Sequence, residues 1–216
     1  MLFQSETCVV IDKPAGMPVQ RHPQHHAATI EDQMPGWLPV HRLDNETSGC
    51  LLLAKTPEVY EMLRAQFERQ LVAKTYLAIV HGLTPETFAV ETPIAHHARK
   101  EHRMVPAVPG AQFRGQPQAA RTEVTTIHHY YPNAARPVAL SLVRIVIPTG
   151  VRHQIRVHLN LHGFPIVGDK LYGKRVLHSQ FTMPRHLLHA HRLTFTPPEG
   201  EAPVTAEAPS PDDFSL

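Results

Sequence analysis

His41-Arg42-Leu43-Asp44-Asn45-Glu46-Thr47-Ser48-Gly49 runs directly into Cys50-Leu51-Leu52-Leu53-Ala54. The second half is a continuous apolar run of strand length, which reads as a strand covered on both faces. The first half is an unusual string to place in front of a buried strand. One reading is a polar turn in which Asp44 and Ser48 cap backbone groups. The other is a functional site. An arginine and a carboxylate two positions apart reach a common cleft, Thr47-Ser48-Gly49 lets backbone approach a ligand, and the strand behind is a rigid mount.

Upstream, Cys8-Val9-Val10-Ile11 reads as a short strand broken by Lys13-Pro14-Ala15-Gly16. Residues 21–39, rich in His, Gln and Pro, read as loop with one helical turn. Downstream, Thr56-Pro57 supplies a helix N-cap and a proline at the first helical position. Val59, Met62, Leu63 and Phe67 recur at helical spacing and predict an amphipathic helix to about Gln70. Tyr76 to Val80 is a strand. From His96 to Pro117 the pattern dissolves into Arg, Lys, His, Pro and Gly, which predicts a long basic loop or irregular hairpin. Thr122 to Ile127 and Val138 to Ile147 read as strands, and Arg152 to His162 as a helix that Gly163 ends. The last twenty residues hold five prolines and five acidic residues, a composition that alone suggests a solvated tail. Strand and helix signals interleave without a repeat. The fold class is therefore α+β or mixed α/β, built around one sheet.

Composition bounds the rest. The 216 residues fit a single domain, 1–216, and a 42% hydrophobic share supports a real core. A net charge of +2 does not announce a nucleic-acid binder, so any basic footprint has to come from arrangement. Cys8 and Cys50 each lie in an apolar run and read as buried free thiols. No secretory signal opens the sequence and no apolar run is long enough to span a bilayer, so a soluble cytoplasmic protein is expected. Histidines are plentiful: His25-His26, His96-His97, His128-His129, and the group His186, His189 and His191. None sits with Cys or carboxylates at a zinc spacing, so no metal site is expected.

His41-Arg42-Leu43-Asp44, Thr47-Ser48-Gly49 and Leu51-Leu52-Leu53-Ala54-Lys55 together resemble the signature of RluA-like pseudouridine synthases, at more than ten positions of fixed spacing. Val10-Ile11-Asp12-Lys13-Pro14-Ala15-Gly16 is similar to that family's first strand and its Lys-Pro-x-Gly turn. Phe67 and Lys74-Thr75-Tyr76 resemble the segment that carries the family's active-site tyrosine. Gln118-Ala119-Ala120-Arg121-Thr122 is similar to the approach to the second half of the sheet. Thr149 to His158 resembles the third motif, followed by Gly163-x-Pro165-Ile166-x-Gly168-Asp169. Leu188-His189-Ala190 and Pro209-x-Pro211-x-x-Phe214 match the C-terminal pattern. The likeness covers essentially the whole chain. It departs at Gly150-Val151-Arg152-His153-Gln154, where the family has Gly-Arg-Thr/Ser-His-Gln and the arginine is displaced by one position. No separate N-terminal RNA-binding domain is expected ahead of the core.

The resemblance implies the pseudouridine synthase fold, one catalytic domain around a central, largely antiparallel mixed sheet with flanking helices. It implies isomerisation of a uridine in structured rRNA or tRNA, with RNA as partner, no cofactor, no obligate protein partner and a monomeric state. A stacked nucleotide hides its C1′ and C6, so the target has to be flipped out. The implied catalytic residues are Asp44, Tyr76 and Arg156. Asp44 attacks C1′, attacks C6 or removes a ribose proton, Tyr76 stacks on the uracil, and Arg156 is the cation for the carboxylate. Arg42 is expected in the gap left by the flipped base. His41, Arg152, His153 and Leu188 complete the substrate-binding candidates. Arg99, Lys100 and Arg103, with Lys174 and Arg175, are the expected RNA-backbone contacts. The rival is an RNA-binding or assembly protein that kept the fold and lost the chemistry. RNA carrying 5-fluorouridine separates the two, because only an active enzyme traps or rearranges it.

Overall fold

The computed structural model describes residues 1–21, 27–133, 137–173, 183–200 and 202–215. Strands β1 (Phe3–Gln4) and β2 (Cys8–Lys13) come first, then helix α1 (Ile30–Gln33), β3 (Leu38–Pro39), β4 (Ser48–Ala54), helix α2 (Pro57–Glu68) and β5 (Ala73–His81). Six strands follow: β6 (Thr87–Val90), β7 (Ile94–His97), β8 (Met104–Pro106), β9 (Phe113–Gln118), β10 (Thr122–Tyr130) and β11 (Leu140–Val146). Helix α3 (Gln154–Leu161), β12 (Leu188–Phe195), β13 (Val204–Glu207) and a 3-10 turn at Asp212–Phe214 complete the chain. Two compact units result, Met1–Tyr76 with Leu188–Leu216, and Leu77–Leu187.

In the first unit β4 is the central strand, and all seven of its residues are buried. That is the environment an unbroken Gly-Cys-Leu-Leu-Leu-Ala run requires. One edge of β4 pairs antiparallel with β2, from Cys8↔Ala54 to Lys13↔Gly49. The other edge is shared. Its start runs parallel to β12 at Ser48 and Gly49, and its end pairs antiparallel with β3 at Leu53 and Ala54. β13 lies antiparallel on β12. Helix α2 packs over this sheet through Val59 and Leu63, joining a core with Val10, Leu52, Leu193 and Phe195. Each such side chain contributes about 1.5–3 kcal/mol by leaving water. The helix starts as the sequence requires: Thr56 Oγ1 accepts the Val59 N–H at 3.4 Å and Pro57 fills the first turn. It stops at Glu68, just before the expected Gln70, and Met62 is exposed rather than packed.

In the second unit β10 pairs antiparallel with β11 on one side and β6 on the other. Helix α3 is buried from Gln154 through Leu159, and Val157 packs with Ile94, Met104, Ala120 and Tyr172. Of these pairings only that of β4 with β12 is parallel. The molecule is α+β with a mixed, largely antiparallel sheet and few helices, as the sequence suggested.

Two expectations need correction. The basic stretch near residues 96–117 is a three-stranded sheet, with β7 between β8 and β9. All six residues of β9 are exposed, so its sequence carries no alternation to betray it. The proline-rich last twenty residues are not a solvated tail. β13 is in the sheet, Ala206 and Ala208 are buried, and Phe214 is 5% exposed with its ring 6.3 Å from that of His189.

Candidate active site

Asp44 sits in the turn before β4, closed by the Thr47 N–H donating to the Asp44 carbonyl at 3.0 Å. The turn is fastened from two sides. The Asn45 carbonyl accepts the Gly16 N–H at 2.8 Å and the Lys13 ammonium at 3.0 Å. Lys13 is fully buried and also donates to the carbonyls of Pro14 and Met17, at 2.8 and 2.9 Å. A buried ammonium survives only when its donors are taken, and here backbone oxygens take them. On the other side Ser48 Oγ lies 2.9 Å from His189 Nδ1, and both residues are buried. Gly49 makes this possible. A Cβ there would lie 2.2 Å from the Ala190 carbonyl oxygen, so only glycine lets β12 come this close.

Tyr76, on β5, is 9% exposed and belongs to the same unit. Burial, and then the Asp44 and Cys50 charges, push its phenol well above the ordinary tyrosine range, so it stays protonated. Two of the three expected catalytic residues, Asp44 and Tyr76, therefore share one electrostatic neighbourhood. Cys50 is a buried free thiol, raised to about 11 by burial, and Cys8 is also free and buried. Arg42 is exposed on the turn and Leu188 is buried at the start of β12.

His41 has a structural position. Its Nε2 accepts the Leu52 N–H at 3.0 Å and its ring stacks on Phe67 with centroids 4.8 Å apart. Burial, and then the Lys74 charge, lower it to about 3, which keeps the ring neutral. Lys74 lies over the Phe67 ring at 5.7 Å and is itself lowered to about 8 by burial.

Arg156 belongs to the second unit, on α3. Its Nε and Nη2 donate to the two Asp169 carboxylate oxygens at 2.7 and 2.9 Å, and this pair is buried. His153 precedes the helix with φ 57°, and its Nδ1 lies 2.8 Å from Tyr172 Oη. Gln154 ties the turn together: its Oε1 accepts from Thr149 Oγ1 and the Val151 N–H, and its Nε2 donates to the Arg121 carbonyl. Arg152, the displaced arginine, keeps its Nε buried without a hydrogen-bond partner among the described residues.

The expected RNA-backbone contacts divide. Arg99 and Lys100 are exposed at the β7–β8 turn, where their N–H groups donate to His97 Nδ1. Arg103 is half-buried with its guanidinium 5.3 Å from the Tyr172 ring centre. Lys174 and Arg175 lie outside the described residues. Reading the sequence did not single out Lys13, His189 or Tyr172 as supports of a site, because side chains of these types in mixed segments give no sign that they will be buried. Among the described residues no three His, Cys, Asp or Glu side chains group as metal ligands, and no helix is long and apolar enough to cross a membrane.

Comparison with known proteins shows which family the chain resembles. A sequence model of the RNA pseudouridylate synthase family matches residues 7–161. The chain is 31% identical over 234 residues to ribosomal large subunit pseudouridine synthase D of Neisseria meningitidis, which covers 99% of this chain and 59% of that protein. It is 35% identical over 220 residues to tRNA pseudouridine synthase C of Pasteurella multocida, covering 95% of this chain and 88% of that one. The chain thus spans about three fifths of the length of the large-subunit relative. Among solved structures, human RNA pseudouridylate synthase domain containing 1 superposes with a TM-score of 0.80 at 25% identity, over 97% of this chain and 82% of that one.

Proposed function

The chain belongs to the RNA pseudouridylate synthase family, and from that premise we propose that it isomerises a uridine in ribosomal or transfer RNA to pseudouridine, with Asp44 as the reacting carboxylate. The observation that carries this reading is the frame around Asp44. Its turn is held by Lys13 and Gly16 on the Asn45 carbonyl, and the phenol of Tyr76 lies within reach of its charge. A carboxylate carried on a turn whose backbone is held this firmly suits chemistry at a fixed point, where positioning supplies much of the rate.

In the reaction the N1–C1′ bond breaks and C5 bonds to C1′ of the same ribose. The C5 proton leaves and N1 gains one, so composition is unchanged and no oxidant, reductant or group donor is needed. The target nucleotide is flipped from its stack at a cost of a few kcal/mol, and Arg42, exposed on the same turn, enters the gap. Tyr76 is protonated at working pH, so it stacks on the uracil and donates or relays a proton rather than standing as a base. Arg156 is the site's buried cation. The chain works on RNA in the cytoplasm, as a monomer and without a cofactor.

Asp44→Asn tests this. The shape is kept and the charge removed, so fold and RNA affinity should persist, while formation of new pseudouridine on RNA taken from cells lacking the gene becomes undetectable. A folded Asp44→Asn protein, free of deamidation, that still converts uridine would sink the mechanism. A wild-type protein that binds RNA but neither makes pseudouridine nor traps or rearranges 5-fluorouridine RNA would leave a binding protein instead.

A further inference from the structure

Arg156 is confined from two directions within its own unit. Asp169 takes two of its nitrogens in a fork-to-fork pair, and the same carboxylate, through Oδ1, accepts the Leu171 and Tyr172 N–H groups at 2.9 Å each. The turn after Asp169 therefore fixes the carboxylate, and the carboxylate fixes the guanidinium. Tyr172 forms the second wall. Its ring centre is 5.1 Å from the Arg156 guanidinium carbon, and its hydroxyl accepts the Met104 N–H at 2.9 Å and meets His153 Nδ1. Arg156 is 7% exposed and Asp169 1%.

A buried ion pair of this kind returns little net stability, because desolvating both charges offsets their attraction. What it returns is geometry, since a planar fork held at two points and faced by a ring keeps one orientation. Burial raises the Asp169 carboxyl, but hydrogen bonds and charge from Arg156 outweigh it and leave the group below its ordinary value, hence ionised.

We propose that Asp169 is a positioning residue for the reaction, holding the Arg156 guanidinium in the orientation the site uses, with Tyr172 as the opposing wall. This rests on the reading of Arg156 as the site's cation. Asp169 touches no reacting atom; it acts through Arg156.

Asp169→Ser separates positioning from support of the turn. Serine keeps a short acceptor for the Leu171 and Tyr172 N–H groups but withdraws the carboxylate from the guanidinium. The variant should fold, bind RNA within about threefold of wild type, and form pseudouridine about 10–100-fold more slowly in single turnover at saturating enzyme. In an Arg156→Lys background the same change should cost no further rate, because lysine offers no planar fork to orient. A folded Asp169→Ser enzyme at wild-type rate, or an equal loss in both backgrounds, overturns the proposal. Should Asp169→Ser fail to fold, Tyr172→Leu removes the opposing wall and is held to the same two criteria. An inactive wild-type protein would defeat the functional reading first and this inference with it, an outcome distinct from an active enzyme indifferent to Asp169.

Discussion

Replacing Gly49 with alanine puts a methyl group where the Ala190 backbone already is. The new Cβ would lie 2.2 Å from the Ala190 oxygen, 2.7 Å from its carbonyl carbon and 2.8 Å from its nitrogen. Gly36 is the natural control, since it also has a positive φ, +83° against +107°, but its Cβ would meet nothing within 4 Å. Both replacements carry a backbone cost of about 1–2 kcal/mol, partly offset by about 0.4–1 kcal/mol from a stiffer unfolded chain. Only Gly49→Ala must also separate two strands. Relaxed heavy-atom contacts sit near roughly 3.5 Å, so β4 and β12 have to part by about 1 Å where Ser48 pairs with His189 and Gly49 with Ala190. Overpacking costs about 1–3 kcal/mol and a weakened ladder hydrogen bond about 1 more. Gly49→Ala should therefore lose roughly 2–4 kcal/mol beyond Gly36→Ala, or roughly 5–15 °C in Tm for a chain of this size. Thermal and urea denaturation of the two variants, followed by circular dichroism, gives the comparison. Equal losses to within about 0.5 kcal/mol, the scatter of ordinary surface changes, would refute the steric argument.

Neutralising Arg99 and Lys100 together should flatten the salt dependence of RNA binding by roughly 1.4–1.8 in log–log slope, while neutralising Arg103 adds less, because that guanidinium is already seated on Tyr172. Filter binding across a salt series checks this, and an unchanged slope for the double variant would remove the β7–β8 turn from the RNA surface. His41 makes the fold acid-sensitive. Its folded value near 3 lies below the unfolded 6.5, so the unfolded chain takes a proton that the folded ring refuses, and stability falls as pH drops from about 6.5 towards 3. At about pH 5 the penalty is about 2 kcal/mol. His41→Gln, which keeps an acceptor for the Leu52 N–H, should lose less between about pH 7.5 and 5 in urea unfolding; identical pH dependence would show that His41 is not the source.

Much of this was legible in the sequence because local chemistry and tertiary need agreed. The Thr56-Pro57 cap and the unbroken β4 run are signals that packing then uses without altering them. Where the signals failed, tertiary contacts had overruled composition. β9 shows no alternation because both its faces are wet, and the prolines of the final segment flank a strand that β12 recruits. The Asp44 turn stood out through its resemblance to a known signature, but its supports did not. Lys13 reads as a solvated lysine until three carbonyls are seen around it, and Asp169 reads as one more turn residue until Arg156 is found in its fork.

The unit that carries Asp44 is discontinuous: residues up to Tyr76 are completed by those from Leu188 onward, whereas Leu77–Leu187 is one unbroken segment. On the ribosome, synthesis runs from one end, so the intervening segment emerges whole before the first unit can close. Until β12 is made, β4 lacks the parallel neighbour that holds Ser48 and Gly49, and His189 is not there to meet the serine. The nascent chain thus displays its carboxylate turn early but fastened on one side alone, by Lys13 and Gly16, and the second brace arrives only with the residues from Leu188 onward.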